Sequence, residues 1–230
     1  MGLDPQFADL DGDGELDLVN GRYSPAIVYW FRGLGKGKGF GPRAVLFDDT
    51  KDGTYSMTTA NAADLDGDGD IDLVLGDTSG SVFWARNEGS AKAPKFTRRE
   101  PLMVGEQPMK VCHKSDAIAV DWDGDGTLDV LVGDETTDVS FFRGRGDGKY
   151  EPGVSLFSHL RVDPGDKYAA AKAKLDPHRV IPGYRVRLAT ADWNDDGKLD
   201  LLIGNCESGP ATGDGKQGPT IGHVYVLLRQ

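Results

Sequence analysis

No stretch of this chain approaches the roughly 18 consecutive apolar residues that a membrane span needs, and its start, MGLDPQFADL, lacks the apolar core of a signal peptide. Cysteine is scarce. Cys112 and Cys206 are the only two, too few for a disulfide framework. The four histidines fall in no zinc-ligand spacing, and neither a Ser-His-Asp nor a Cys-His arrangement is legible. Positive charge is in deficit: 26 Lys and Arg face 37 Asp and Glu, a formal net charge of −11. Nonspecific nucleic-acid binding needs clustered Lys and Arg in surplus, so that class is set aside.

The acid is concentrated in four copies of one loop. Asp9 to Asp17 reads DLDGDGELD, Asp64 to Asp72 DLDGDGDID, Asp121 to Asp129 DWDGDGTLD, and Asp192 to Asp200 DWNDDGKLD. Hard Ca2+ takes six to eight oxygens at about 2.3–2.6 Å. Side chains at loop positions 1, 3, 5 and 9 converge on one centre if the backbone turns tightly between them. In the first three loops these are Asp9, Asp11, Asp13 and Asp17; Asp64, Asp66, Asp68 and Asp72; and Asp121, Asp123, Asp125 and Asp129. The fourth loop offers Asp192, Asn194, Asp196 and Asp200. Position 7 contributes a carbonyl, which leaves its side chain free to vary as Glu15, Asp70, Thr127 and Lys198. Gly14, Gly69, Gly126 and Gly197 hold position 6, where the bend wants a residue without Cβ. Asn194, and Asp195 in place of a glycine at position 4, leave the fourth loop with one ligand charge fewer, so it is expected to bind most weakly.

An EF-hand begins the same way but closes with a bidentate Glu at position 12. Here Asn20, Leu75, Val132 and Ile203 stand at that position, so the ninth-position Asp is expected to close the site. Short apolar runs ending in Gly follow at once (LDLVNG, IDLVLG, LDVLVG, LDLLIG) and read as buried strands. Each is followed by an aromatic strand, AIVYWFRG, SVFWARNEG, DVSFFRGRGDG or HVYVLLRQ. Three units add another element, PRAVLF, KFTRREPL or PGVSLF. With loop spacings of 55, 57 and 71 residues, a repeat of four short strands reads as a propeller blade.

On these loops and strands the chain resembles the FG-GAP or VCBS repeat family, the integrin-alpha-type β-propellers whose DxDxDG loops join the first and second strands of a blade. The Gly-Ala-Pro tripeptide is replaced by NGR, GDT, GDE and GNC, which looks like bacterial secreted members. The fold expected is an all-β propeller of about four blades, near 1–50, 51–104, 105–160 and 180–230, with an insertion at 158–183 containing a short helix. The last blade is expected to be incomplete, with an open edge available for self-association. The resemblance and the calcium chemistry imply export, the leader being absent from this chain. About four Ca2+ ions would bring the formal charge to about −3. Propeller topology puts Cys112 and Cys206 on one face of neighbouring blades, so a disulfide and two separate buried thiols both stay open.

The function expected is a binding or adhesion module with structural calcium, its partner a carbohydrate or another protein. Counting back from the calcium loops places His113, Lys114, Tyr184, Arg185 and Arg187 near the propeller axis, on the face opposite the metal loops. Such a basic, aromatic pocket suits an acidic sugar or carboxylate. The enzymatic alternative is a lyase acting on a uronate-containing glycan, with His113 and Tyr184 as acid and base and Arg185, Arg187 or Lys114 neutralising the carboxylate.

Overall fold

The computed structural model describes residues 3–52, 56–135, 139–146, 148–156, 184–208 and 218–229. The first blade is an antiparallel sheet of β1 (Leu3–Ala8), β2 (Asp17–Arg22), β3 (Ile27–Phe31) and β4 (Ala44–Asp48), paired in chain order. The second repeats it with β5 (Met57–Ala63), β6 (Asp72–Asp77), β7 (Val82–Ala85) and a two-residue β8 (Glu100–Pro101). Two short strands, β9 (Met103–Val104) and β10 (Gln107–Pro108), then lead to the third blade. This contains β11 (Asp116–Val120), β12 (Asp129–Gly133) and β13 (Val139–Phe142), with β14 (Lys149–Tyr150) looping out to pair parallel with β9 before β15 (Val154–Ser155) completes the sheet. The fourth blade has three strands among the described residues: β16 (Tyr184–Ala191), β17 (Asp200–Ser208) and β18 (Thr220–Leu227). Each acidic loop joins the first and second strands of its blade, so all four lie at the same end of the sheets.

The core lies between blades. β1 and β2 pack on β5, β5 and β6 on β11, and β11 and β12 on β16. Because strand side chains alternate between faces, an interior blade must be apolar on both. β6 is buried along Asp72–Gly76, with Leu73 and Leu75 packed toward the first blade and Val74 toward the third. β12 does the same: Val130 and Val132 join the second-third cluster and Leu131 the third-fourth. Burying one such leucine contributes about 1.5–3 kcal/mol.

The end blades are covered on one face only. Burial alternates along β2, and in β17 Leu201 and Ile203 are buried while Leu202 and Gly204 are half-exposed. Phe7 on β1 and Val224 on β18 stand well exposed. Among the described residues no packing like that between consecutive blades joins the fourth blade to the first, so the four blades form an open arc.

The insertion expected at 158–183, with its helix and with His159 and His178, lies outside the described residues, as do residues 209–217 between β17 and β18. No disulfide joins Cys112 to Cys206. No helix among the described residues is long and apolar enough to cross a membrane.

Candidate metal centres

The four loops share one hydrogen-bond skeleton. The first-position Asp accepts from the sixth-position N–H through one oxygen, at 2.9 Å for Asp9, 3.0 Å for Asp64, 2.9 Å for Asp121 and 2.8 Å for Asp192. The fifth-position Asp accepts from the seventh-position N–H, as Asp13 from Glu15, Asp68 from Asp70, Asp125 from Thr127 and Asp196 from Lys198. The sixth glycine sits at φ between 84° and 91° in all four loops, the left-handed region where a Cβ is strained. Residues 15, 70, 127 and 198 thus serve the turn through their backbone, and their side chains differ freely.

The ninth-position Asp does more than close the loop. Asp17, Asp72, Asp129 and Asp200 are buried. One oxygen of each accepts from the second-position N–H (Leu10, Leu65, Trp122, Trp193), at 2.9–3.3 Å. The other reaches just past the adjacent third strand, accepting from Gly33, Asn87, Gly144 or Arg229 at 2.6–2.8 Å. This carboxylate therefore staples the loop to the end of the third strand.

Oxygen atoms of Asp9, Asp11 and Asp13 lie within 4.8 Å of one another, as do those of Asp64, Asp66 and Asp72, and of Asp121, Asp123 and Asp129. Burial first, then the charge of Asp17, raises the Asp11 carboxyl above its ordinary range, with Arg32 opposing and Asp13 and Asp9 adding to the rise. Burial pushes Asp72 up to about 6 and also raises Asp129. Crowded acids that resist ionisation are what a cation would relieve. Asp11 Oδ1 and Asp66 Oδ1 are buried without a hydrogen-bond partner. An orphaned carboxylate oxygen within an all-oxygen donor set fits a hard divalent ion such as Ca2+.

One recurring residue escaped the sequence reading. Arg32 contacts Asp11 (Nε, 2.7 Å) and Asp13 (Nη2, 2.8 Å), Arg86 contacts Asp66 (2.6 Å), and Arg143 pairs with Asp123. Each arginine follows the aromatic third strand, in WFR, WAR and FFR. The repetition was visible in sequence, but its target was not, because the contact crosses two strands.

At the opposite end, the expected basic pocket is heavily interleaved with acid. His113 and Lys114 precede β11, while Tyr184, Arg185 and Arg187 lie on β16, which packs against β11. Lys114 Nζ pairs with Glu135 at 2.5 Å, Arg187 Nη1 lies 3.8 Å from Asp116, and His113 Nδ1 lies 3.3 Å from the Thr78 carbonyl. Asp134 and Asp116 are buried beside them, and their backbone and side-chain oxygens receive Val186 N–H and Leu188 N–H. Lys114 and Arg185 also hold left-handed backbones, φ 47° and 61°. Tyr184 pairs with Cys206 at the start of β16. Lys114 and Arg187, which a uronate-neutralising site would draw on, thus already face carboxylates.

Repeated blades carrying an acidic loop between their first two strands define a β-propeller repeat protein. The FG-GAP-like repeat family matches residues 9–75 and 121–203, more than half of the chain, and the protein belongs to that family. A solved structure of an Agrocybe aegerita lectin, which specifically recognises non-reducing terminal N-acetylglucosamine, superposes over 96% of this chain with a TM-score of 0.51 at 18% identity. This is a likeness of fold. The chain spans 52% of that lectin's length. No curated protein matches the chain.

Proposed function

We propose that this protein is an extracytoplasmic binding module whose acidic loops hold calcium as structural ions, and whose ligand is a carbohydrate or another protein. The observation that carries the reading is the repetition of a preorganised oxygen cluster, with buried unpartnered carboxylate oxygens, at the same corner of successive blades. The ion's contribution is to relieve carboxylate repulsion and lock the corner of each blade. An ion that binds only the folded chain at about a hundredfold above its Kd adds about 2.7 kcal/mol of stability. Millimolar extracellular calcium suits low-affinity modules of this kind, which supports an exported setting. The carbohydrate reading draws support from the fold shared with the lectin, and it places recognition opposite the metal loops, around His113, Lys114, Tyr184, Arg185 and Arg187. The mixed charge found there favours a neutral or zwitterionic sugar over a polyanion.

Thermal unfolding in 2 mM CaCl2 and in EDTA, alongside a glycan array read in calcium, tests both halves. Calcium is expected to raise Tm by several degrees, on the order of ΔΔG divided by the unfolding entropy. Asp68→Ala with Asp125→Ala should remove part of that rise. An identical Tm in calcium and EDTA would sink the metal assignment. An array without a single retained glycan would move the ligand class from carbohydrate to protein.

A further inference from the structure

The arginine row and the departures of the fourth loop explain each other. Arg32 follows Phe31, the cross-strand partner of Leu18; Arg86 follows Ala85, the partner of Leu73; Arg143 follows Phe142, the partner of Val130. In the fourth blade Leu227 pairs with Leu201, so the equivalent residue is Leu228. The next backbone N–H fixes the alignment independently, since Gly33, Asn87, Gly144 and Arg229 all donate to the ninth-position Asp. Arg229 is therefore one place too late to substitute. Its guanidinium bonds the Trp122 carbonyl and lies over the Trp122 ring at 5.2 Å, and it is the last of the influences acting on Asp196.

The one blade without this arginine is thus the one whose third loop position is Asn194 instead of aspartate. Over the ligand positions, the first three loops carry four carboxylates and one arginine, and the fourth carries three carboxylates and none. Over positions 1, 3, 5 and 9, taken with the arginine, every loop arrives at the same formal charge of three negative units. The pairing geometry also leaves room for an ion. Arg32 and Arg86 hold Oδ2 of Asp11 and Asp66, and Oδ1 of each is the buried, unpartnered atom.

We propose that Arg32, Arg86 and Arg143 are the built-in counter-cations of the metal loops. Each pairs with the third-position carboxylate through one oxygen; Arg32 and Arg86 leave the other oxygen for the ion, while the second oxygen of Asp123 accepts from Asp125 N–H. Over positions 1, 3, 5 and 9 each arginine sets the charge that the fourth loop reaches with Asn194 and Leu228. The inference rests on the calcium reading above. A loop one charge more negative would attract the ion more strongly but repel itself when empty. The arginine trades ion affinity for a stable empty loop. On this view the fourth loop, expected from sequence to be the weakest, is matched to the others.

The experiment is calcium titration of the whole chain by calorimetry, with chelator competition, for wild type, Arg32→Leu, Asp11→Asn and the double variant that transplants the fourth blade's pair. Arg32 is half-exposed, and removing one positive charge several ångströms from a divalent ion in high dielectric should tighten one site by about three- to tenfold. Asp11→Asn should weaken one site by a similar factor, and the double variant should return to the wild-type isotherm. Arg32→Gln, which keeps a polar side chain, should tighten as Arg32→Leu does, so a folding defect in one variant does not decide the outcome. Unchanged or weakened binding in both Arg32 variants, or a double variant as weak as Asp11→Asn, would overturn the inference while leaving the calcium reading intact. A wild-type chain that takes up no calcium would overturn both, and that is seen before any variant is compared.

Discussion

The third and fourth acidic loops make the same turn from different residues. Asp121–Asp129 has Asp123, Gly124 and Thr127 where Asp192–Asp200 has Asn194, Asp195 and Lys198. Even so, their first-, fifth- and ninth-position carboxylates share the acceptor roles that define the turn, with Gly124 N–H and Asp123 N–H as additional donors in the third loop. The difference separates two jobs that the acidic residues appear from sequence to share. Positions 1, 5, 6 and 9 build the turn with the same residue types in both loops, whereas position 3 keeps its turn acceptor, Asp123 Oδ1 or Asn194 Oδ1, and changes its charge together with the arginine across the sheet.

If position 9 is a staple in both loops, its removal should be equally damaging in both and should not depend on metal. Asp129 accepts from Trp122, Asp123 and Gly144, and Asp200 from Trp193 and Arg229. Replacing either with Ala strands buried backbone donors and is expected to cost about 3–4 kcal/mol. Urea unfolding in EDTA measures this without any ion contribution. A cost below about 1 kcal/mol for either variant would mean that its aspartate serves the ion and not the fold.

The skeleton of the loop was legible in sequence because it is local. Aspartates at alternate positions and a glycine at the sixth declare a tight acidic turn, and the apolar runs after it declare buried strands. The blade order followed from repetition. What stayed hidden is what crosses strands. Nothing in AIVYWFRG says that the N–H of Gly33 points at Asp17, or that Arg32 reaches Asp11, until the register Leu18↔Phe31 is known. The acids among the expected pocket residues stayed hidden for a related reason. His113, Lys114 and Arg187 were located by counting, but Asp116, Asp134 and Glu135, which sit among them, belong to β11 and to the end of β12, whose acids read as strand punctuation. The two-residue β8 and β15 fall inside KFTRREPL and PGVSLF, which the repetition had marked as the further element of each blade, and are shorter than those runs.

The second way to sharpen the contrast is pH. In metal-free protein Asp129 in the third loop is raised by burial, as is Asp72. Asp196 in the fourth is lowered, first by its hydrogen bond from Asn194 and next by that from Lys198. A carboxyl raised in the folded state penalises folding above its folded pKa, and the penalty fades as pH falls toward the unfolded value of 3.8. For Asp72, at about 6, the gain between pH 7 and pH 4.5 should be on the order of 1–2 kcal/mol. Asp196 behaves oppositely. Its stabilisation is present above the unfolded pKa and is lost as pH falls through the lowered folded pKa. Urea midpoints in EDTA should therefore rise from pH 7 to pH 4.5 in wild type, and the rise should shrink in Asp72→Asn. A wild-type midpoint that falls steadily over that range would reject this account of the raised acids.

The smallest effect isolates position 4, where the third loop has Gly124 at φ 80° and the fourth has Asp195 at φ 58°. Both backbones are left-handed. Asparagine and aspartate enter that region more readily than other non-glycine residues, at a cost of roughly 1 kcal/mol relative to glycine. Asp195→Gly removes the strain but gives the unfolded chain more freedom, so the net gain should be a few tenths to about 1 kcal/mol. Gly124→Asp should lose a similar amount, with nothing within 4 Å of the added Cβ to add a clash. The charge change at this position adds a second signature: Asp195→Gly removes a carboxylate beside the fourth site, whereas Gly124→Asp adds one beside the third. If backbone strain governs, stability in EDTA moves as stated and is insensitive to salt. If repulsion among the acids governs, both shifts should collapse in 0.5 M NaCl, where exposed charges are screened within about 4 Å, and position 4 would belong with position 3 among the residues that set charge.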